Sequence, residues 1–412
     1  MINAFGKLWL KGAKRLTKAS ATQLKKQQKK LQKTVVKTVV KSISDSLKPA
    51  GSKPRATAAR RSATGAARAA TRRTAGSAVR KPATGLHAPP EALSAGGAWT
   101  RSYHSDSGAG STARRMTYWL YVPYRIAGTA DAGHLLPTAS QPKHIAPKPI
   151  PLVIMLHGCD QTAPDFAAGT RMNRLAARHG FAVLYPQQSI SAHAQRCWPW
   201  YKRSLQQGGD EIALIAGMTL KAIERHGFDR SRVYAAGLSA GAALAQTLAV
   251  RHPDLFAAVG SHSGPAYGVA SSRMSAFSVM QNGGQQVEQP IVHVLQARPD
   301  FPEMPMMILQ GAMDHVVRPV NARRLVKQFR SLNRLADAPT AEPLSKPARG
   351  ANDAYRLTDY RRGRKTLVRL CEVAHLAHAW SGGDPSLRYN AAQGPDASAL
   401  LWDFFKRHRR RI

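Results

Sequence analysis

The stretch RVYAAGLSAGAALAQTLAV, residues 232–250, determines the predicted fold. Its first five residues form an apolar run that predicts a buried strand, and the alanine-rich segment 242–250 predicts a helix. Between them lies a G-x-S-x-G pattern, which holds a serine at a sharp turn between strand and helix. A Cβ at Gly237 or Gly241 would collide with the neighbouring strand or helix. The pattern therefore predicts Ser239 as a nucleophile beside the free amides of a helix start, which stabilise an oxyanion.

Predicted strands and helices alternate on both sides of this stretch. The strands are 115–122, 152–156, 181–185, 232–236, 256–261, 306–310, 356–361 and 366–373, of which the last two are expected to pair, and the helices are 166–179, 210–226, 242–250, 320–332 and 398–407. The segment 265–300 is expected to be a loose stretch. Alternation of this kind predicts a mainly parallel sheet with helices on both faces. Together with the G-x-S-x-G motif, it favours an α/β-hydrolase fold.

The positive charge of the chain is concentrated at its beginning. The 412 residues carry a net charge of +38, and residues 1–100 hold 22 Lys and Arg against two acidic residues, which is 22 − 2 = +20. The sequence predicts a basic amphipathic helical arm over residues 1–48 and a disordered basic linker over residues 49–98. The α/β-hydrolase catalytic domain is predicted over residues 99–412. The arm favours a polyanion, an anionic membrane or a granule surface as its partner, whereas no specific nucleic acid is predicted.

The cysteines and the first residues argue against several classes of protein. Three cysteines without a C-x-x-C pair predict neither a disulfide scaffold nor a zinc site, and no metal or organic cofactor is predicted. No apolar run reaches the length of a membrane span. Lys7, Lys11 and Lys14 interrupt the region where a signal peptide would be apolar, which favours an intracellular, granule-associated protein.

A catalytic serine needs a general base and a carboxylate that orients the base, and in α/β-hydrolases the acid and then the histidine follow the serine. Asp314 comes directly after a buried strand, where parallel sheets present functional side chains. The base is His378 or His375, and their spacing alone does not separate them. For the oxyanion hole, the Cys159 amide after an early strand is predicted to act with the Ala240 amide.

Three other histidines near these segments are not expected to be catalytic. His157 is expected to brace the loop that carries the Cys159 amide. His262, which follows the serine motif, is expected to be structural or to form a pocket wall. His315 adjoins Asp314 and is not held apart from it as an oriented base must be.

Five blocks of the sequence resemble, in the same order, the family of polyhydroxybutyrate (short-chain polyhydroxyalkanoate) depolymerase esterases. They are LHGCDQ (156–161), RCWPWY (196–201), GLSAG (237–241), QGAMD (310–314) and HAWSGG (378–383), within a resemblance that spans about residues 110–405. The resemblance implies an α/β-hydrolase with Ser239 as nucleophile, Asp314 as its carboxylate and His378 as the base. It implies hydrolysis of polyester or oligomer links through an acyl-enzyme, and related members act on feruloyl or acetylxylan esters. The chain has Ala242 and Gln310 where the family often has glycine and histidine, which bears on the substrate only.

The resemblance also bears on the surroundings of the site. Cys159 and Cys197 lie in two of the blocks, so they form either a disulfide between the oxyanion loop and the tryptophan loop or two buried thiols. An aromatic rim is expected to bind the substrate through Trp198, Trp200, Tyr201 and Trp380. The family favours an extracellular enzyme. The competing hypothesis from another class is a binding protein whose basic arm docks on a polyanion or granule, with a secondary hydrolase domain.

Overall fold

The structure is a computed structural model that describes residues 90–106, 114–124, 148–335, 344–346 and 353–412. The predicted basic arm lies outside the described residues, as does the predicted linker up to residue 89. Among the described residues, the first regular element begins at Pro90, ahead of the predicted domain boundary at residue 99. The reason is that Leu93 is buried and its carbonyl accepts a hydrogen bond of 2.8 Å from the Asn173 side chain.

The described residues form twelve strands and ten helices. The strands are β1 (Gly97–Asp106), β2 (Arg114–Pro123), β3 (Leu152–Leu156), β4 (Ala182–Pro186), β5 (Val233–Leu238), β6 (Ala258–His262), β7 (Met306–Gly311), β8 (Leu344–Lys346), β9 (Tyr355–Arg362), β10 (Lys365–Val373), β11 (Trp380–Ser381) and β12 (Asn390–Ala391). The helices are α1 (Pro90–Ser94), α2 (Ala163–Thr170), α3 (Met172–His179), α4 (Arg203–Gln206), α5 (Glu211–His226), α6 (Ala240–Arg251), α7 (Arg273–Asn282), α8 (Gln289–Ala297), α9 (Val320–Leu332) and α10 (Ala397–Phe405). None of the helices in these ranges is long and apolar enough to span a membrane.

Ten of the strands form one sheet in the order β1-β2-β4-β3-β5-β6-β7-β10-β9-β8. The six central strands, from β4 to β10, pair in parallel. Antiparallel strands complete both edges, and β9 pairs with β10 as expected. The predicted α/β-hydrolase fold is thereby confirmed. The strand order reverses at β3, and in sheets of this kind functional loops gather beyond the carboxyl ends of the strands near such a point.

The central strands are buried on both faces, and alternate side chains belong to two different cores. In β3, Leu152, Ile154 and Leu156 pack in a core that includes residues of α5, α6 and α9, whereas Val153 and Met155 pack in a core that includes residues of α2, α3 and α10. Side chains on a strand point alternately to opposite faces, so helices cover both faces of the sheet. The rigid sheet fixes where β3, β5, β6 and β7 end, and the candidate site lies at these ends.

Several described elements differ from the sequence prediction, and three of the differences have a clear physical reason. The single helix expected at 166–179 is divided into α2 and α3, because Arg171 adopts a left-handed backbone with φ 55°. The stretch 265–300, expected to be loose, contains α7 and α8. Strand β1 was not predicted, because it lies at the edge of the sheet and only Gly97 of its ten residues is buried.

Candidate active site

Ser239 occupies the turn between β5 and α6. Its backbone adopts φ 57° and ψ −119°, a strained conformation for a residue with a side chain. Ser239 is half-buried, whereas its neighbours Leu238 and Ala240 are buried. Its N–H donates to the His262 carbonyl over 2.9 Å, which fastens the turn to the end of the adjacent strand β6. The strained turn therefore keeps the serine partly accessible between two buried residues.

The two glycines of the motif allow three backbone segments to approach closely. A Cβ at Gly237 would lie 2.5 Å from the carbonyl carbon of Gly241 and 2.6 Å from the carbonyl oxygen of Leu156. A Cβ at Gly241 would lie 2.5 Å from the carbonyl oxygen of His157, and closer still to that of Leu156. The neighbours are backbone atoms, which cannot rotate away. Glycine is therefore required at both positions, as the sequence pattern predicts.

Asp314 and His378 are in direct contact. His378 Nδ1 lies 2.8 Å from Asp314 Oδ2, although the two residues are 64 positions apart in the chain. Asp314 lies in the turn after β7, and its Oδ1 accepts the N–H groups of Val316 at 2.9 Å and Val317 at 2.8 Å. The Asp314 carboxylate contacts His378 and not His375, which favours His378 as the candidate base.

The Asp314 carboxyl group is buried and held as a carboxylate. Burial is the largest single influence and raises its pKa, because the charged form is desolvated. The electrostatic interaction and the hydrogen bond with His378, together with the Val317 N–H and the Ser263 side chain, outweigh burial, so the pKa of Asp314 lies below its usual value. A carboxylate in this position accepts the Nδ1 proton of His378 and leaves Nε2 free to act as a base.

The loop after β3 brings the Cys159 amide to the same end of the sheet. A Cβ at Gly158 would lie 3.7 Å from Ser239 Cβ, so this loop lies beside the serine. The Cys159 N–H has no acceptor among the hydrogen bonds of the described residues. The Ala240 N–H belongs to the first turn of α6, where amides have no acceptor within the helix. Cys159 also forms a disulfide with Cys197.

His157 braces this loop from inside the protein. Its Nε2 accepts the Gln188 N–H over 3.2 Å, so Nδ1 carries the proton and donates to the Gly158 carbonyl over 2.8 Å. The Trp198 indole N–H donates to the His157 carbonyl over 2.9 Å. Burial lowers the pKa of His157 to about 4, so the imidazole is neutral near pH 7. These bonds fix the path of the backbone that carries the Cys159 amide.

The predicted aromatic rim differs from what the structure contains. Trp198 and Trp380 are each 1% exposed and Trp200 is 8% exposed, so these rings pack inside the protein. Trp380 packs between Phe166 and His262, with ring centroids 5.5 and 5.0 Å away. These tryptophans are buried because the interior accommodates their large apolar rings, and for Trp198 and Trp380 it also provides an indole acceptor. Tyr201 alone is half-buried, and its substrate-binding role stays a prediction.

Sequence reasoning missed two residues that influence the carboxylate. Gln310 is buried, and its Nε2 lies 3.2 Å from Asp314 Oδ2 and 3.0 Å from the Val317 carbonyl oxygen. The Ser263 side chain, on the residue after β6, contributes to the lowered pKa of Asp314. The position of Gln310 in the predicted strand end before Asp314 could have indicated such a contact. Nothing local to Ser263 could have done so, because it is 51 residues away from Asp314 (314 − 263).

The described part of the chain has no group of three or more His, Cys, Asp or Glu side chains that could hold a metal ion. The candidate residues that follow the ends of the parallel strands supply a hydroxyl, an imidazole, a carboxylate and two backbone amides. A set of this composition can activate a hydroxyl for attack on a carbonyl carbon and stabilise the resulting oxyanion. The chemistry that fits it is acyl transfer through a covalent intermediate.

The family model described as "Esterase PHB depolymerase" matches residues 138–348. Poly(3-hydroxyalkanoate) depolymerase C of Paucimonas lemoignei is 33% identical over 206 residues, which are 48% of this chain and 49% of that protein. Feruloyl esterase B of Thermothelomyces thermophilus is 31% identical over 192 residues, which are 43% of this chain and 64% of that protein. The chain therefore spans about half to two thirds of the length of these relatives.

A solved structure shares the fold. The acetyl xylan esterase from Aspergillus awamori superposes with a TM-score of 0.55 at 19% identity, over 74% of this chain and 99% of that one. At this identity the likeness concerns the arrangement of strands and helices. It agrees with the mostly parallel sheet described above.

Proposed function

Because the chain belongs to the esterase PHB depolymerase family, whose model matches just over half of its residues, we propose that it is a serine hydrolase of carboxylic esters. Its proposed substrates are short-chain polyhydroxyalkanoates or their oligomers, in keeping with the relative from Paucimonas lemoignei. The observation that carries the proposal is the 2.8 Å contact between His378 Nδ1 and Asp314 Oδ2, together with a serine in a strained strand–helix turn.

In the proposed acylation step, Ser239 Oγ attacks the ester carbonyl carbon while His378 Nε2 takes the hydroxyl proton. The carbonyl π electrons move to its oxygen, which becomes an oxyanion. The amides of Cys159 and Ala240 donate to that oxyanion, and each such donor contributes about 3–4 kcal/mol to transition-state stabilisation. The Asp314 carboxylate holds the Nδ1–H tautomer and stabilises the imidazolium that forms.

The intermediate then collapses and the ester bond breaks. His378 gives its proton to the leaving alcohol oxygen, and the acyl group remains on Ser239. A water molecule attacks the acyl-enzyme with His378 again taking a proton, and the second collapse returns that proton to Ser239 Oγ. The products are an alcohol and a carboxylic acid. For a hydroxyalkanoate oligomer, these are two shorter hydroxy acids.

A substrate panel tests this proposal. Purified protein is assayed at equal concentration with 3-hydroxybutyrate oligomers, a methyl feruloyl ester and acetylated xylan, and a Ser239→Ala variant serves as the control. The proposal predicts the highest kcat/KM on the oligomers and no turnover by the variant. Absence of turnover on all three esters, or equal rates for the variant, would overturn the serine-hydrolase proposal.

The second candidate substrate class is a feruloyl or acetylated polysaccharide. It is favoured by the 31% identity to feruloyl esterase B and by 30% identity over 198 residues to a probable acetylxylan esterase A of Neosartorya fischeri. The same panel decides between them. A higher kcat/KM on either polysaccharide ester than on the oligomers would replace the polyester assignment while leaving the proposed chemistry unchanged.

The compartment in which the protein acts is also a proposal. The Cys159–Cys197 disulfide supports an extracellular or other oxidising compartment, because disulfides are rare in a reducing cytosol. The compartment is tested by quenching whole cells and medium with acid and then labelling the free thiols of the protein from each fraction. Two unlabelled cysteines in the medium fraction are expected, whereas a purely cellular pool with three free thiols would support the intracellular, granule-associated alternative.

The basic arm is proposed to dock on an anionic surface. The charge of +20 in residues 1–100 supports this, because such attraction is long-ranged and weakened by salt. The test compares the full chain with a chain that starts at residue 90 for sedimentation with vesicles containing an anionic lipid. The full chain is expected to bind at low salt and dissociate at high salt. Equal binding by both proteins would contradict the proposal.

A further inference from the structure

A buried glutamine beside the Asp314 carboxylate takes no part in the steps above. Resting on the proposed serine-hydrolase function, we propose that Gln310 is a positioning residue, which holds the Asp314 carboxylate in the orientation that fixes the His378 imidazole. Gln310 Nε2 lies 3.2 Å from Asp314 Oδ2, within the range of a hydrogen bond. His378 Nδ1 lies 2.8 Å from the same Oδ2 atom, so the amide and the base share one oxygen.

Gln310 is the residue before the last of β7, and it is 1% exposed. Besides the carboxylate, two backbone carbonyl oxygens lie near its Nε2, that of Gly311 at 3.2 Å and that of Val317 at 3.0 Å. These two carbonyls come before and after Asp314 in the chain. The Gln310 side chain therefore connects both sides of the turn to the carboxylate that the turn carries.

The acceptors around the amide decide which of its ends faces the carboxylate. The three partners of Gln310 Nε2 are two carbonyl oxygens and one carboxylate oxygen, and none of them can donate. An amide oxygen in the same place would face three acceptors and form no hydrogen bond. The NH2 group of Gln310 therefore faces Asp314. It has two protons for three acceptors, so at least one proton is shared between two of them.

With Gln310, each oxygen of the carboxylate accepts from two donors. Asp314 Oδ1 accepts the N–H groups of Val316 and Val317, and Oδ2 accepts from His378 Nδ1 and Gln310 Nε2. A carboxylate offers about four acceptor positions, so these donors occupy its capacity and fix the plane in which it lies. Loss of the amide would remove one of the two donors on the oxygen that receives the base.

The other end of the amide indicates that its nitrogen is the useful part. Gln310 Oε1 is buried and has no hydrogen-bond partner within the described ranges of the chain. A buried acceptor without a protein partner lowers stability, whereas a methionine or leucine could fill the same space without that cost. The resemblance of the sequence to its family relates position 310 to the substrate only, whereas these contacts relate it to the carboxylate.

Other ionisable groups lie near the amide and the carboxylate. His262 of β6 interacts electrostatically with both Asp314 and His378, and burial lowers its pKa to about 3, so it is neutral near pH 7. Gln310 also lines a cavity with three charged side chains, which are Arg318, Arg323 and Glu372. All four groups remain in variants of Gln310. A change in pH dependence between wild-type protein and such a variant therefore reports the loss of the amide.

Three variants and one control test the proposal. Gln310→Met and Gln310→Leu remove the nitrogen and fill its space, and the second is used if the first does not fold. Gln310→His retains an N–H donor. Gln246→Met is the matched control, because Gln246 is also buried with an unpaired Oε1 in the described part of the chain, but its nitrogen bonds to Ser261 and Pro265. Circular dichroism and the urea midpoint first show that each variant is folded.

The kinetic readouts are kcat, KM and their pH dependence on a soluble p-nitrophenyl ester. Gln310→Met is expected to lower kcat about tenfold, the fold-change that corresponds to losing one hydrogen bond to a charged group, with KM changed less than about twofold. The kinetic pKa of the base should rise, because a carboxylate with one donor fewer stabilises the imidazolium more. Gln310→His should retain more activity than Gln310→Met, and Gln246→Met should match the wild-type protein.

Two further readouts separate positioning from packing. In the Asp314→Asn background, Gln310→Met should cause no additional loss of kcat, because the amide acts through the carboxylate. The far-downfield proton NMR resonance of His378 Nδ1–H should shift in Gln310→Met and stay in place in Gln246→Met. Additive losses, an unmoved resonance, or equal kinetics for Gln310→Met and Gln246→Met would overturn the inference. If wild-type protein hydrolyses no ester but the resonance still shifts, the proposed function fails and the positioning role stands.

Discussion

Gly241→Ala should damage the proposed site far more than it damages the fold. The added Cβ would lie 2.5 Å from the His157 carbonyl oxygen and closer still to that of Leu156, whereas ordinary contacts begin at 3.4 Å. The first turn of α6 and the segment Leu156–His157 must therefore separate by at least 3.4 − 2.5 = 0.9 Å. Both obstacles are backbone atoms of the strand and loop that precede the Cys159 amide, so the movement displaces the proposed oxyanion donor from Ser239.

The magnitude follows from that displacement. A shift of roughly 1 Å at a reacting group costs on the order of 100-fold in rate, which is about 2.7 kcal/mol of barrier. Overpacking of this kind costs roughly 1–3 kcal/mol of folding free energy. A protein with a stability of about 5–15 kcal/mol remains almost entirely folded after such a loss. The loss of kcat/KM should therefore exceed anything that unfolding explains.

The assay measures kcat/KM on a soluble ester and the urea midpoint on the same preparation. The matched control is Gly217→Ala, which also adds a Cβ within a helix but meets only the half-buried His104 side chain at 2.9 Å. The control should retain nearly wild-type activity, because a side chain can move aside. A Gly241→Ala protein that is folded and has more than about half of the wild-type kcat/KM would refute the reasoning about close approach.

Three further predictions concern the carboxylate, pH and the disulfide. Asp314→Asn should lower kcat about 10³–10⁴-fold while the protein stays folded, because the amide no longer holds the base in its tautomer; kinetics near wild type would contradict this. In the folded protein the pKa of His157 is about 4 and that of His262 about 3, against 6.5 in the unfolded chain. The stability contributed by the neutral rings is therefore fully present above pH 6.5 and is lost as the pH falls, by about 2 kcal/mol per histidine at pH 5. Urea unfolding at pH 8 and at pH 5 measures this loss. Reducing Cys159–Cys197, which closes a loop of separation 38, should lower the unfolding free energy by about 4 kcal/mol in the same assay, and an unchanged midpoint would contradict it.

The sequence predicted the elements whose cause is local. A strand, a glycine-bounded turn and an alanine-rich helix around Ser239 follow from composition and spacing alone. Asp314 could be placed because functional side chains follow buried strands in parallel sheets. By contrast, α7 buries only Ala276 and Val279 and therefore lacks the apolar periodicity that marks a helix. Strand β1 likewise has no apolar run, because it lies at the edge of the sheet and buries only Gly97.

The details of the site depend on contacts between distant segments. The Ser381 N–H meets the His262 ring across 119 positions of the chain, and no local pattern encodes that contact. Likewise, sequence does not distinguish a tryptophan at the mouth of a site from one beneath it. Trp198 and Trp380 are buried because each ring has a place in the interior and an acceptor for its indole N–H. Residue types could therefore be predicted better than their surroundings.

Treatment of the full chain with a fluorophosphonate probe, followed by peptide mass spectrometry, shows whether Ser239 is the activated nucleophile. One adduct is expected, on the peptide that contains Ser239, formed at a rate that falls sharply in a His378→Ala variant. Labelling of a different serine, or of none in folded protein, would contradict the claim that this hydroxyl is activated by the imidazole.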